Sequence, residues 1–423
     1  LRARHGDRPP PRSDSTPGPS GVSSGGKRAL SHTTALWLTA ALLALQPLST
    51  DLYLPTLPAI GAHFSVSVAT VQWTLSVFIA AFAVAQLVAG PLSDRYGRYP
   101  VIVGGVLIHC AASVLCMAAP TIATLIAGRL LQAIGACACV VAVRAVVRDL
   151  YEPSAGARLL AAAGTIMGLA PLAGPIVGSQ LQAAFGWRAA FAALALFSLA
   201  LAGVLLARLK ETNRERDVRA LAPRVLAAAW REVLRSPTFH AYTLANTMSY
   251  AGLFAFLAGS SFVLIRVLGL TPTAYGFGFA ATVSGYMLGT VVCRRLMTRL
   301  SLAQALQAGA ALQATAGLAM ALLAAAGVFD PLAIFVPQFF YVIAHGIVQP
   351  VAQAGAVARF PRTAGTAAAW MGFIIQMVAA GVGLLIGVTW NGTVYPMVSM
   401  IAAAGVGSLA VALLLVRKHG HVG

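Results

Sequence analysis

The sequence has 423 residues, of which 59% are hydrophobic and 9% charged, against roughly 25% charged in ordinary soluble domains. A soluble fold of this composition would expose too much apolar surface, so lipid is the expected solvent. The net charge of +18 would suit nucleic acid if it formed one face. Instead the Lys and Arg residues gather in short breaks between apolar runs, the pattern of cytoplasmic loops in membrane proteins, and a nucleic-acid partner is excluded.

Residues 1–32 are rich in Pro, Ser, Gly and Arg and are expected to form a disordered cytoplasmic tail. The chain starts with Leu rather than Met, as expected of a trimmed chain or an unusual start codon, and no cleavable signal peptide is evident. A membrane-crossing helix needs about 20 mostly apolar residues. Twelve such runs follow, near 33–58, 68–92, 101–119, 121–147, 158–182, 187–208, 238–266, 275–298, 302–326, 331–356, 364–388 and 392–416. They are continuous rather than alternating, which predicts helices and not a barrel. The long polar stretch 209–237 divides them six and six, as in transporters built from paired repeats. The expected organisation is therefore an N-terminal six-helix bundle over 33–208, a cytoplasmic linker over 209–237, a C-terminal six-helix bundle over 238–416 and a tail over 417–423. With both termini in the cytoplasm, only Arg188 and Arg266 fall outside and Arg129 and Arg144 within spans. All other basic residues then lie on the cytoplasmic side.

The first run carries Asp51, the only one of the eleven acids inside the predicted membrane core. An unpaired carboxylate there costs several kcal/mol, so it must be protonated, paired or turned to a water-filled cavity. Such a group can load and release a proton as the cavity changes sides. A structural pairing or a helix-end cap are the other roles open to it. At about 1.5 Å per residue, Asp51 and Arg129 of the fourth run fall roughly one helical turn apart in height, so a pair between them is sterically reasonable. The second and third runs are joined by Gly90-Pro91-Leu92-Ser93-Asp94-Arg95-Tyr96-Gly97-Arg98-Tyr99-Pro100. Its glycines and prolines permit a tight turn, and one acid among arginines permits a switchable ion pair. Arg144, near the end of the fourth run, belongs with Arg148 and Asp149 in a gate beside that turn, or snorkels to headgroups. Pro171, Gly174, Pro175 and Gly178 are expected to interrupt the fifth helix and let neighbours approach closely.

The chain carries five cysteines, all inside or at the edge of apolar runs. They suit packing, and no structural disulfide is expected. The isolated His109 and His345, with one core acid, make no catalytic set, and no metal site or cofactor is expected. There is no GxxxxGK[ST] phosphate loop. A cavity near the midplane between the halves should hold the cargo. Its polar or aromatic candidates are Tyr53, Gln72, Asn246, Tyr250, Gln338, Tyr341, Gln349 and Gln376.

The Gly90–Pro100 turn resembles the signature loop of the major facilitator superfamily, with Tyr99 standing where a basic residue is usual. Further stretches resemble its bicyclomycin-resistance group of drug:proton antiporters: Ser49-Thr50-Asp51-Leu52-Tyr53-Leu54-Pro55, Gly128-Arg129-Leu130-Leu131-Gln132-Ala133-Ile134-Gly135, Arg144 to Tyr151, and Pro171 to Gly178. Weaker matches at Ser261-Phe262-Val263, His345 to Pro350 and Pro361 to Ala367 extend the likeness over nearly the whole chain. Ala170 and Ser179 depart from the group's antiporter stretch. The resemblance implies twelve transmembrane helices in two pseudo-symmetric bundles and proton-coupled export of small amphipathic drugs across a bacterial cytoplasmic membrane by alternating access. A monomer should suffice. It implies proton coupling by Asp51 and Arg129. It makes Asp94, with Arg95 and Arg98, part of a gate in which Asp94 meets the cytoplasmic end of helix eleven, and it gives the Pro171–Gly178 stretch a role in keeping the cavity from leaking. A transporter of an endogenous metabolite, exporter or proton symporter, is the alternative on the same architecture.

Overall fold

The computed structural model describes residues 31–213 and 215–420. Residues 1–30 of the expected tail, Arg214 and 421–423 lie outside the described residues. Among those described, sixteen α-helices and three short 3-10 or π segments occur, and no strand. In chain order the helices are α1 His32–Asp51, α2 Leu57–Phe64, α3 Val68–Tyr96, α4 Arg98–Met117, α5 Ile122–Leu150, α6 Pro153–Met167, α7 Ala170–Phe185 and α8 Arg188–Arg208. They continue with α9 Pro223–Leu234, α10 Pro237–Ser261, α11 Pro272–Leu296, α12 Leu302–Ala325, α13 Pro331–Val357, α14 Ala364–Thr389, α15 Tyr395–Val411 and α16 Arg417–His419.

Twelve helical stretches are long and apolar enough to cross a bilayer. The first combines α1 and α2, the fifth α6 and α7, and the twelfth α15 and α16. Several sequence boundaries shift: the first span runs to Phe64, the second helix continues through Gly90 and Pro91 to Tyr96 so that the turn narrows to Gly97, and the fifth span begins at Pro153. Ser31 and His32, assigned to the tail, are ordered: Ser31 caps α1 by accepting from the Thr34 N–H. The twelfth span runs on to His419, through the π segment Ala412–Val416, rather than ending at 416. The break in the fifth span lies at Gly168–Leu169, before Pro171. Pro171 sits in the first turn of α7, where its missing N–H costs nothing, so it starts that helix instead of breaking it. Pro175 is inside α7, which passes Gly174 and Gly178 without interruption.

Each half is a bundle. In the first, α5 packs on α1, α3 and α4, and α4 on α8; in the second, α13 packs on α10, α11 and α12, and α15 on α10 and α12. The halves meet along two seams, α3 against α14 and α7 against α11. The linker carries α9, whose Trp230 sets its ring edge-on to Trp370 of α14, 5.4 Å between centroids.

A polar knot holds the inner helices of each half, and the two knots match position by position. In the first half His109 of α4 bridges Ser49 of α1 (2.8 Å) and Ser198 of α8 (2.7 Å). In the second half Gln313 of α12 bridges Ser249 of α10 (2.5 Å) and Ser408 of α15 (2.9 Å). The carbonyl of Ser49 accepts from Arg129 at 2.8 Å, and that of Ser249 from the Tyr341 hydroxyl at 3.3 Å. The repeat relation is thus visible in hydrogen bonds. Lipid supplies no water to satisfy these groups, so each must find a partner inside its own bundle.

Candidate functional site

Helix α1 stops at Asp51 because Pro55 and Pro58 follow; a one-turn 3-10 segment, Leu54–Thr56, carries the chain into α2. Asp51 therefore sits at a break in the first span rather than within a continuous helix, and it is 5% exposed. The opposing wall is α7. A methyl group at Gly174 would lie 2.9 Å from Asp51 Cβ, and one at Gly178 would overlap the Leu52 carbonyl oxygen, so both glycines are needed for the approach. Asp51 Oδ1 is 3.0 Å from Thr50 Oγ1. That hydroxyl also lies 2.9 Å from the Pro47 carbonyl and 3.4 Å from that of Gln46, two competing acceptors for one hydrogen.

Arg129 is fully buried. Its Nε donates to the Thr74 carbonyl (3.2 Å), and one Nη to the Ser49 carbonyl (2.8 Å) and to Gln132 Oε1 (2.6 Å). The guanidinium lies 4.6 Å from the Tyr53 ring centroid and 4.2 Å from that of Phe78. Its Nη2 has no partner. The expected pair with Asp51 is not formed among the described residues: the cation is held instead by the Thr74 and Ser49 carbonyls, Gln132 and the two rings. Tyr53, expected in the cavity, is instead buried, bonded through its hydroxyl to Thr74 and covering Arg129.

Between the halves lies a cavity of about 690 Å³. It runs from the Asp94 turn and the start of α14 up to Gln46, Asn246, Tyr250 and His345. Of the eight residues expected to line it, Asn246, Tyr250, Gln349 and Gln376 do. The other four do not. Gln72 donates to the Ala258 carbonyl at 2.6 Å across the seam between halves, Tyr341 is tied to Ser249, and Gln338 is fully buried in α13 with neither amide atom bonded. Being polar within a span was the signal for all eight, and it does not separate a cavity wall from a helix contact. Several liners went unassigned as cargo contacts in the sequence, among them Gln46, Gln86, Gln353, His345, and Trp230 of the linker helix.

The cavity is open at the Asp94 end and shut at the other. There Gln72 meets Ala258, Arg266 donates to the Pro58 carbonyl at 2.7 Å, and Gly383 and Gly387 of α14 lie against Ser76 and Ala69 of α3. At the open end Arg98 is buried between two acids, 2.6 Å from Asp94 and 3.0 Å from Asp149, and also donates to Ser93 Oγ at 2.7 Å. Asp94 thus pairs with Arg98 and not with the start of α14, because the open cavity separates it from that helix. Thr363, the residue before α14, has an unpartnered hydroxyl. Arg144 and Arg148 line the cavity without an ion pair among the described residues, and Arg95 lies over Tyr96 instead of joining the cluster.

Glu211, in the linker, completes this cluster and was not singled out in the sequence. Its Oε1 accepts the N–H groups of Arg98 (2.9 Å), Thr212 (3.0 Å) and Asn213 (2.8 Å), and Oε2 that of Tyr99 (3.2 Å). A carboxylate there caps the start of α4 and complements its dipole. Gly97, at φ +106, has both the backbone conformation and the missing Cβ that let Glu211 in. A polar stretch hides such a residue among other charges, but a glycine directly before a spanning helix was an available signal. The five cysteines are all free, and no group of metal-ligating side chains exists among the described residues.

Known proteins with this arrangement are transporters. Residues 39–384 match the Major Facilitator Superfamily. The chain is 28% identical over 384 residues to the bicyclomycin resistance protein homolog of Haemophilus influenzae, covering 90% of this chain and 96% of that protein. It is 32% identical over 242 residues to multidrug resistance protein MdtL of Escherichia fergusonii, covering 57% of this chain and 61% of that protein. Among solved structures, a bacterial homolog of the human lysosomal transporter Spinster superposes with a TM-score of 0.68 at 18% identity, covering 93% of this chain and 96% of that one. The peptide transporter POT does so with 0.70 at 14%, covering 91% and 94%. These two likenesses speak to the fold. The chain belongs to the major facilitator superfamily, as a multi-pass membrane transporter and not an enzyme, and its relatives are those of the bicyclomycin-resistance group.

Proposed function

We propose that this transporter exports small amphipathic drugs in exchange for protons. The names of its relatives, bicyclomycin resistance and multidrug resistance, support drugs as the cargo class. The observation that carries the exchange reading is the setting of Asp51. It is a buried carboxyl at a helix break, walled by Gly174 and Gly178 of α7, with no cation paired to it among the described residues. A proton on Oδ1 would satisfy the contact with Thr50 Oγ1 while the Thr50 hydrogen serves the Pro47 carbonyl. Once that proton leaves, the open Nη2 of Arg129 is a candidate partner for the charge left behind. A buried charge without a partner is costly, so losing the proton favours rearrangement of α1 against α5 and α7.

Taking both termini as cytoplasmic, the cavity faces the cytoplasm. Drug enters beside Asp94 and rises toward Tyr250 and His345, the halves rock, and the Gln72 seam opens. A proton from outside then resets Asp51, and its inward flow drives export. In the reverse state Asp94, released from Arg98, meets the start of α14, whose N-terminal end suits an anion. In inside-out vesicles acidified by ATP hydrolysis, an added drug that is exchanged should collapse the gradient. Uptake strictly in the direction of proton flow would reject antiport and favour a metabolite symporter.

A further inference from the structure

We propose that His345 is a cargo-binding residue that presents a fixed N–H donor, on Nε2, to a carbonyl-type oxygen of an uncharged ligand in the cavity. His345 lines the cavity and is itself 3% exposed. Its Nδ1 lies 2.8 Å from Ser249 Oγ, while Nε2 has no bond among the described residues. Its ring is flanked by Tyr250 and Tyr286, with centroids 5.9 and 6.0 Å away, and Tyr286 is tied in turn to Gln349.

The hydrogen bonds behind the ring decide which nitrogen carries its hydrogen. Ser408 Oγ donates to Gln313 Oε1 at 2.9 Å, and Gln313 Nε2 donates to Ser249 Oγ at 2.5 Å. The Ser249 hydrogen has no backbone acceptor in its own helix and is left for His345 Nδ1. A neutral imidazole that accepts at Nδ1 carries its hydrogen on Nε2. Reversing the chain would turn the Gln313 amide nitrogen to Ser408 and leave the Ser408 hydrogen without an acceptor, a penalty buried polar groups avoid. His109, in the equivalent knot, differs in kind. Both its nitrogens are engaged by serines, and those serines also reach the carbonyls of Leu45 and Leu194, so it faces no ligand. Ser249, Gln313 and Ser408 are thus positioning residues, and His345 is the group that meets the cargo.

This inference rests on the reading of the cavity as the cargo site, and the test separates the two. Acetylnaphthalene and ethylnaphthalene differ by one carbonyl oxygen. Their binding to the full chain in nanodiscs, with empty discs as baseline, should favour the ketone about fivefold, the worth of one net hydrogen bond. His345→Leu should erase that preference; His345→Gln, which restores a donor near Nε2, should keep it. In parallel, nitrogen-15 histidine spectra should show the signal lost in His345→Gln to be protonated on Nε2, and Ser249→Ala should mix the tautomers. Equal binding of the two compounds by the native protein, or a preference that survives His345→Leu, overturns the proposal. A hydrogen on Nδ1 overturns it even if both compounds bind, whereas binding of neither defeats the cavity reading along with it.

Discussion

Gly174 stands directly against Asp51: a methyl group there would come within 2.9 Å of Asp51 Cβ. The wall beside the one carboxyl in the first span is bare backbone, supplied by a different span. The helix carrying Asp51 is packed closely against α7, so on the proposed exchange mechanism a change in Asp51 protonation should be felt in the packing of the fifth span on the first.

Gly178→Ala should break this contact, because its methyl would meet the Leu52 carbonyl oxygen. Overpacking of this kind costs about 1–3 kcal/mol, so the detergent-solubilised protein should melt earlier and transport should fail. Gly104→Ala is the control, since nothing lies within 4 Å of the added methyl; it should match the native protein in both measurements.

Arg98 joins Asp94 and Asp149 with unequal exposure, 40% for the Asp94 side chain and 20% for that of Asp149. Arg98→Ala should be the most damaging change of the three, at about 3 kcal/mol, since it removes a buried cation from two acids. Asp94→Ala should cost less than about 1 kcal/mol in stability, because solvent screens its charge. Its effect should fall on switching instead. Spin-label distances across the open end, together with transport rates, would check this; an Asp94→Ala protein with native rates and native inward-to-outward balance would contradict the gate.

Glu211→Gln should weaken the cap of α4 by about 1 kcal/mol, seen as a lower melting temperature and as easier proteolysis at the linker. Gly97→Ala should do more harm than Glu211→Gln, because the added methyl displaces the same carboxylate and also sits on a backbone at φ +106.

Gln72→Ala removes a bond of 2.6 Å to the Ala258 carbonyl at the closed end. One net hydrogen bond is worth about 1 kcal/mol, so the ratio of closed to open forms at that end should fall about fivefold. Double electron–electron resonance between labels flanking α3 and α10 would read the change.

The twelve spans were legible in the sequence because lipid demands long apolar helices and leaves little room for other outcomes. Asp51 was legible for the same reason, as the single acid in a run of oil. Side-chain destinations were less so. Asn246 and Gln338 look alike in sequence, yet one lines the cavity and the other is sealed in α13, because a helix rotation of one residue exchanges those fates. The Arg129–Asp51 pair was inferred from height alone; height says nothing of azimuth, and the guanidinium turns to the Ser49 carbonyl and the Tyr53 ring. Glu211 escaped notice because the two N–H groups it caps on α4, those of Arg98 and Tyr99, lie more than a hundred residues away, which no local pattern records.

The most direct test is drug-driven proton release by Asp51→Asn in inside-out vesicles, beside drug binding by the same purified variant. A folded protein that still binds drug but no longer collapses the proton gradient is the expected result. Exchange of drug for protons by Asp51→Asn at the native rate, with its native dependence on pH, would contradict the assignment of Asp51 as the proton carrier.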